Sequence, residues 1–162
     1  MEKSIESFDG TRLFYIHKET NNPHTIIFLH GIGGNWTVWR KEIDFFIEKG
    51  YSIIAPDLRG HGLSDRPVEK ERYDIHHFSD DIKNILKKER VKKFSIIGHS
   101  LGGMIALNYC EISKQLPKSL VLIDTAHRFP YKTDHEFKLN PYLIHLLRKL
   151  SNSKYHLVNF FP

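Results

Sequence analysis

The residues best suited to chemistry are 98–102, which read GHSLG and fit the pattern G-x-S-x-G. The apolar, strand-like residues 94–97 precede them, and a helical pattern begins at Leu101. A sharp turn from strand to helix needs neighbours without a Cβ, and it leaves the serine hydroxyl exposed at the carboxyl end of a sheet. The helix N-terminus beneath it favours nearby negative charge. The pattern predicts a nucleophile at Ser100; the alternative is a glycine-rich turn without chemistry.

A second glycine-rich segment, residues 30–34 (HGIGG), follows the apolar residues 25–29. Such a loop presents backbone N–H groups to a developing oxyanion, and the expected donors are the amides of Ile32 and Leu101. A plain loop is one alternative. A dinucleotide-binding loop is another, but Trp36 occupies the last glycine position of G-x-G-x-x-G, so that pattern fails.

The residues around these two segments alternate between strand and helix patterns. Strands are predicted at residues 3–8, 12–17, 25–30, 51–55, 94–97 and 119–123. Helical stripes are predicted within residues 36–47, 75–86 and 101–113. The turn Asp9-Gly10 makes the first two strands an antiparallel hairpin, and the later rhythm predicts a mostly parallel sheet with right-handed crossovers. Trp36 and Trp39 lie on an apolar stripe and are predicted to be helix core rather than pocket lining.

Composition limits the class of protein. The chain has 162 residues, of which 40% are hydrophobic and 27% charged, as expected of one globular domain. No apolar run approaches the roughly 18 residues that span a bilayer. The first residues lack the apolar segment of a secretory signal, and the single Cys110 forms no internal disulfide, so we expect a cytoplasmic protein.

The net charge of +5 raises the question of an anionic partner. The only dense basic run falls in residues 87–93, and Glu89 interrupts it. We interpret this run as the solvated end of a helix, whose dipole favours cations there. A binding patch is the alternative, and no nucleic-acid partner is predicted.

Three blocks of this sequence resemble the α/β-hydrolase fold superfamily, in its cap-bearing branch of serine esterases and lipases. They are residues 30–35 with Trp39, residues 57–65 (DLRGHGLSD), and residues 98–103. The resemblance covers the N-terminal portion of that fold. It implies an α/β three-layer sandwich that is incomplete at its C-terminus, with the first six strands in residues 1–125 and the start of a truncated helical cap in 126–162. Leu139, Leu143, Leu146 and Leu150 form a helical stripe in that cap.

The same resemblance assigns roles to residues. Ser100 is the nucleophile, Ile32 and Leu101 line the oxyanion hole, and residues 57–65 form a structural loop. A serine at position 100 speaks against the epoxide hydrolases and haloalkane dehalogenases of this superfamily, which use a carboxylate nucleophile. His30 and His99 are expected to brace loops by hydrogen bonds, and His61 belongs to the structural loop.

A serine nucleophile needs a base, and in this fold the acid and then the histidine follow the serine along the chain. The family places them after its seventh and eighth strands, which this chain does not reach. The later histidines do not follow strand patterns and are not predicted as the base; they are His127, His135, His145 and His156. Asp124, at the end of the sixth strand, is either a triad acid or a structural strand-end residue.

Metal binding is not predicted. Eleven histidines invite the question, but no H-x-x-x-H or Cys/His spacing accompanies them. His76 and His77 are adjacent on a helix, so they point apart and do not chelate one metal together.

The resemblance therefore implies a serine hydrolase that acts on a small-molecule carboxylic ester, a thioester or a lactone, through an acyl-enzyme on Ser100 and without a cofactor. We expect the isolated chain to be inactive, because the triad acid and base are missing. Two alternatives remain: a non-catalytic or partner-complemented fragment that self-associates through an exposed sheet edge, and a cofactor-free haloperoxidase or C–C bond hydrolase.

Overall fold

The computed structural model describes residues 1–126 and the backbone of residues 159–160. The strands are β1 (Glu2–Glu6), β2 (Arg12–Lys18), β3 (His24–Leu29), β4 (Ser52–Pro56), β5 (Lys93–His99), β6 (Leu120–Ile123) and β7 (Asn159–Phe160). The helices are α1 (Arg40–Glu48), α2 (Ile75–Lys88) and α3 (Leu101–Ile112), with short 3₁₀ helices at Trp36–Trp39 and Lys70–Tyr73. The predicted leucine stripe and nearly all of the predicted cap, residues 126–162, lie outside the described residues.

One sheet carries all the strands, in the order β1-β2-β4-β3-β5-β6-β7. β1 pairs antiparallel with β2, and β2 antiparallel with β4, while every other pair is parallel. The predicted mixed sheet is confirmed, with the N-terminal hairpin at one edge. β7 adds a two-residue pairing to β6 that the sequence did not indicate.

The sheet is covered on both faces, which is why its central strands are apolar throughout. In β3, Ile27 and Leu29 pack with the buried residues of α2 and α3, whereas Ile26 and Phe28 pack with Ile43 of α1. This alternation confirms the three-layer arrangement, because successive side chains of a strand point to opposite faces. Trp39 is buried in the α1 layer and Trp36 packs against it, as predicted.

Most strand ends differ from the expectation by one or two residues. Two of the differences concern the site. β5 extends two residues past position 97, because Gly98 pairs with Leu29 of β3 and His99 with Ile123 of β6. The first predicted helix divides at Trp39, because Asn35 caps a separate 3₁₀ turn by accepting a hydrogen bond from the amide of Thr37 at 2.9 Å.

The parallel strands bring four loops to one edge of the sheet. β4, β3, β5 and β6 are neighbours in that order, and their carboxyl ends lead into Asp57, His30, Ser100 and Asp124. Ligands of open α/β sheets bind at this edge. The topology thus gathers the glycine-rich loop, the structural loop and the candidate nucleophile in one place.

Candidate active site

Ser100 stands in a strained turn between β5 and α3. Its φ of 49° and ψ of −114° lie where L-residues other than glycine are rarely found. Hydrogen bonds hold the backbone there: the amide of Ser100 donates to Ile123 O at 3.0 Å, and its carbonyl accepts from the amides of Gly103 and Met104 at 3.0 and 3.1 Å. Ser100 begins α3 without a side-chain capping bond. The hydroxyl is therefore not used to stabilise the helix.

Close packing of α3 against β3 explains the glycine at position 102, two residues after Ser100. A Cβ on Gly102 would collide with the carbonyl oxygen of Leu29, a backbone atom that cannot move aside. Without this contact α3 would stand further from the sheet, and Ser100 would not be held between the ends of β3 and β6.

The glycine-rich loop passes directly over Ser100. A Cβ on Gly31 would lie 2.8 Å from His99 Nδ1 and 3.3 Å from Ser100 Cβ. The amide of Gly34 donates to Gly31 O at 3.1 Å, which folds the loop into a tight turn with Ile32 at its tip. Within the part of the chain that the structure describes, neither the Ile32 amide nor the Leu101 amide donates a hydrogen bond to a protein atom. Both amides are thus available to an oxygen bound beside Ser100.

His30 braces this loop, as predicted. Its Nε2 accepts a hydrogen bond from the amide of Leu58 at 3.0 Å, so the proton is on Nδ1, which donates to Gly31 O at 2.8 Å. The ring is fully buried, and burial lowers its pKa, so the neutral form persists at neutral pH. His30 ties the loop after β3 to the loop after β4. His99 differs from the expectation, because its ring packs against Gly31 and makes no hydrogen bond to a described residue.

Asp57 organises the structural loop. One carboxylate oxygen accepts from the amide of Trp36 and the other from the amide of Leu63, both at 2.8 Å, and the side chain is buried. Ser64 adds a link: its hydroxyl donates to Asp57 O at 2.6 Å and accepts from the amide of Phe14 at 2.8 Å. Because both oxygens of Asp57 hold backbone amides, this carboxylate is committed to structure and not to proton transfer.

Arg59 anchors the same loop to α2 and to the first hairpin. Its side chain is fully buried and makes a two-pronged ion pair with Asp81 at 2.6 and 2.7 Å. A third bond joins it to Asp9 at 2.9 Å. Burial raises the pKa of Asp81, while the hydrogen bonds from Arg59 and Thr11 outweigh burial at Asp9 and lower its pKa to about 2. The loop beside the site is therefore fixed by buried charge.

Asp124 is the described carboxylate best placed to serve as an acid. It follows β6 directly, with a φ of 43°, and its side chain is exposed. Its chain neighbours both bond the backbone of Ser100: Ile123 O accepts from the Ser100 amide, and Thr125 Oγ1 donates to Ser100 O at 2.6 Å. No described residue is hydrogen-bonded to the Ser100 hydroxyl. The four histidines after Ser100, from His127 onward, lie outside the described residues.

Sequence reasoning missed Thr125. From the end of β6 it supports the turn between β5 and α3 at residues 98–102, which we call the elbow. Its side chain also fills the space where a Cβ on Gly103 would stand, at 2.6 Å from Thr125 Cβ. A single threonine after a strand carries no recognisable pattern, so only the adjacency of β5 and β6 shows its role.

In the described residues, no group of three metal-ligating side chains is close enough to hold an ion. No described helix is long and apolar enough to cross a membrane.

Comparisons with known proteins agree with this fold. Residues 24–148 match the family model described as alpha/beta hydrolase fold. Human Protein ABHD8 is 39% identical over 77 residues, which cover 48% of this chain and 18% of that protein.

Two solved structures that resemble this chain carry different names, one an esterase and the other an epoxide hydrolase. A putative aryl esterase from Burkholderia cenocepacia is 30% identical, with a TM-score of 0.71 over 79% of this chain and 48% of its own. Epoxide Hydrolase A from Mycobacterium thermoresistibile is 27% identical, with a TM-score of 0.70 over 76% of this chain and 38% of its own. The chain therefore spans less than half the length of each of these relatives. The matched family model covers most of this chain, and the chain belongs to the alpha/beta hydrolase fold family.

Proposed function

We propose that this chain carries the nucleophile and the oxyanion hole of a serine hydrolase that acts on a carboxylic ester, a thioester or a lactone. A base takes the hydroxyl proton of Ser100 as its oxygen attacks the carbonyl carbon, and the carbonyl oxygen becomes an oxyanion held by the amides of Ile32 and Leu101. When this intermediate collapses, the bond to the leaving oxygen or sulfur breaks and that atom takes up the proton, so that an alcohol or a thiol leaves or a lactone ring opens. Water then hydrolyses the acyl-enzyme. Each oxyanion donor typically stabilises such a transition state by about 3–4 kcal/mol.

The observation that carries the proposal is the strained Ser100 beside two amides that have no hydrogen-bond partner in the described part of the chain. Strain of this kind persists only where the surrounding structure enforces it, and it concentrates at functional positions. The backbone bonds of Ser100 go to β6 and α3, and the residue is half-buried, so the turn is held without use of the hydroxyl.

The nucleophile also separates an esterase from an epoxide hydrolase, although proteins of both names resemble this chain. Epoxide hydrolases of this superfamily open their substrate with a carboxylate, and position 100 holds a serine. No described carboxylate occupies the turn between β5 and α3. We therefore assign the esterase reaction. A cofactor-free haloperoxidase or a C–C bond hydrolase is an alternative with the same serine elbow. Its substrates distinguish it from an esterase.

The base is the part of the machinery that residues 1–126 do not supply. His30 is committed to two loops, and no described residue is bonded to the Ser100 hydroxyl. We place the base, and the acid unless it is Asp124, in residues outside the described part or in a partner chain. It follows that residues 1–126 by themselves have no esterase turnover.

The test is turnover of p-nitrophenyl butyrate by the complete gene product and, in parallel, by the 162-residue chain. Ser100→Ala should lower kcat by about 10⁴-fold or more. Ser4→Ala, at an exposed position of β1, is the matched control and should leave kcat unchanged. A fluorophosphonate probe should modify the peptide that contains Ser100, and styrene oxide should not be hydrolysed.

Three results would decide between the candidates. Undiminished turnover in Ser100→Ala would refute the assignment of the nucleophile. A complete product with no turnover and no labelling would favour the non-catalytic alternative. Labelling that appears only after a second protein is added would favour complementation by a partner chain.

A further inference from the structure

The charge of this chain is concentrated in one segment. Residues 83–118 contain eight Lys or Arg residues and two Glu, whereas the whole chain has 24 basic and 19 acidic residues. The entire net positive charge therefore belongs to this segment. Its cations lie around the C-terminal ends of α2 and α3 and the first residues of β5, at the opposite end of β5 from Ser100.

Four of these cations lie at an open cavity of about 390 Å³. Four basic side chains line it, and no carboxylate does; they are Lys83, Lys87, Arg90 and Lys92. Lys83 also pairs with Asp80 at 2.9 Å. The other three make no ion pair with any residue of the described part of the chain. The rest of the wall consists of Leu86, Val91, Tyr109, Ser113 and Gln115.

The turn after α2 holds Arg90 in a conformation that normally selects glycine. Its φ is 53°, its amide donates to Lys87 O at 3.2 Å, and the amide of Val91 donates to Leu86 O at 2.9 Å. This bonding is the Schellman motif, whose left-handed residue is usually Gly because a Cβ is unfavourable there. The sequence places a guanidinium at the cavity despite that cost.

A purely structural role does not account for these cations. The last carbonyls of α2 are already bonded by the amides of Glu89, Arg90 and Val91. Lys87 and Lys88 complement the helix dipole in the last turn. Arg90 and Lys92 lie beyond the helix, and their side chains make no hydrogen bond to a described residue.

We propose that this cavity binds the phosphate group of a phosphomonoester. A dianion matches a cavity lined by cations without a carboxylate, and guanidinium pairs with phosphate through two parallel hydrogen bonds. The volume admits a phosphate together with an organic group against Leu86 and Tyr109. β5 separates the cavity from Ser100 by seven residues, or roughly 20 Å, so the site is distinct from the elbow and does not depend on the proposed function.

The test titrates inorganic phosphate into the 162-residue chain at low ionic strength and follows binding by calorimetry. Saturable binding with a Kd of about 1 mM or tighter is expected. Arg90→Gly and Lys92→Gln should each weaken it about fivefold or more. Lys88→Gln removes the same charge from a neighbouring exposed position outside the cavity, and it should change Kd less than about twofold.

The variant Arg90→Gly tests whether a loss of phosphate affinity is caused by misfolding or by removal of the guanidinium. Glycine suits the left-handed turn, so this variant should melt at or above the temperature of the unaltered chain while it loses phosphate affinity. No saturation by about 10 mM phosphate would overturn the proposal. Equal weakening by Lys88→Gln and Lys92→Gln would also overturn it, because it would indicate diffuse attraction and not a site.

Sedimentation with vesicles distinguishes the source of the phosphate. Vesicles of phosphatidic acid in phosphatidylcholine present a phosphomonoester on a membrane, and phosphatidylcholine alone is the control. Sedimentation that inorganic phosphate and Arg90→Gly both abolish would identify a lipid headgroup. Phosphate binding without sedimentation would identify a free phosphomonoester. Sedimentation that Arg90→Gly leaves unchanged would contradict the site.

Discussion

The backbone strain at Ser100 leads to a prediction about stability that does not depend on turnover. Replacement of Ser100 by Gly removes the Cβ that makes a φ of 49° with a ψ of −114° unfavourable. Replacement by Ala removes the hydroxyl and keeps the Cβ. Neither variant loses a helix cap, since Ser100 makes no capping bond. The difference in unfolding free energy between Ser100→Gly and Ser100→Ala therefore isolates the strain.

The magnitude follows from two opposing effects. Relief of a sparsely populated backbone conformation contributes about 1–3 kcal/mol. Glycine gives back about 0.4–1 kcal/mol because it makes the unfolded chain more flexible. We expect Ser100→Gly to be about 1–2 kcal/mol more stable than Ser100→Ala, which corresponds to a rise in Tm of roughly 2–6 °C for a chain of this size.

The assay is urea unfolding followed by circular dichroism, supported by thermal melts. Gly50→Ala is a matched control: its φ is 82° and no atom lies within 4 Å of the added Cβ, so its cost is conformational alone. It should destabilise the chain by about 1 kcal/mol. If Ser100→Ala proves as stable as Ser100→Gly while Gly50→Ala is destabilised, the inference of backbone strain at Ser100 is refuted.

Three further predictions concern the groups that support the site. Arg59→Met leaves the Asp81 carboxylate, whose side chain is 4% exposed, without its counter-charge; we expect a loss of about 3–5 kcal/mol in urea unfolding, and a loss below 1 kcal/mol would contradict the role of the pair. The pKa of Asp9 lies at about 2 and below its ordinary 3.8, so its contribution is present above pH 3.8 and is lost as the pH falls toward 2. Asp9→Asn should therefore cost about 1–2 kcal/mol at pH 7 and almost nothing at pH 2, and an equal cost at both values would exclude the ion pair as its cause. Burial raises the pKa of the Cys110 thiol to about 12, so iodoacetamide at pH 8 should alkylate the native chain about 10³-fold more slowly than the urea-unfolded chain, and equal rates would show that the thiol is accessible.

Much of the fold is readable from local patterns. The turn at Asp9-Gly10, the apolar runs of β3 to β6 and the helical stripes of α1 to α3 each depend on neighbouring residues, and their positions agree with the structure to within a few residues. The errors lie at strand and helix ends. β5 reaches His99 only because its neighbours β3 and β6 continue to pair with it, and that pairing is not visible in residues 94–99 alone.

The candidate site divides in the same way. Ser100 and the two glycine-rich segments were predicted from the sequence because the backbone there requires several glycines within a few residues. The partners of the polar residues were not found. Asp57 bonds an amide 21 positions away, Arg59 pairs with a carboxylate 22 positions away, and Thr125 bonds the carbonyl of a residue 25 positions earlier.

Local residue patterns predict which residue stands in the elbow and which strands are buried on both faces, because turn geometry and burial act on neighbouring residues. Three other features become visible in the packed fold: the loop after β3 lies against Ser100, His30 is a brace, and Arg90 faces a cavity lined by cations. These features depend on which strands and helices become neighbours. A polar or charged side chain can take many partners along a chain, and the packed topology selects one of them.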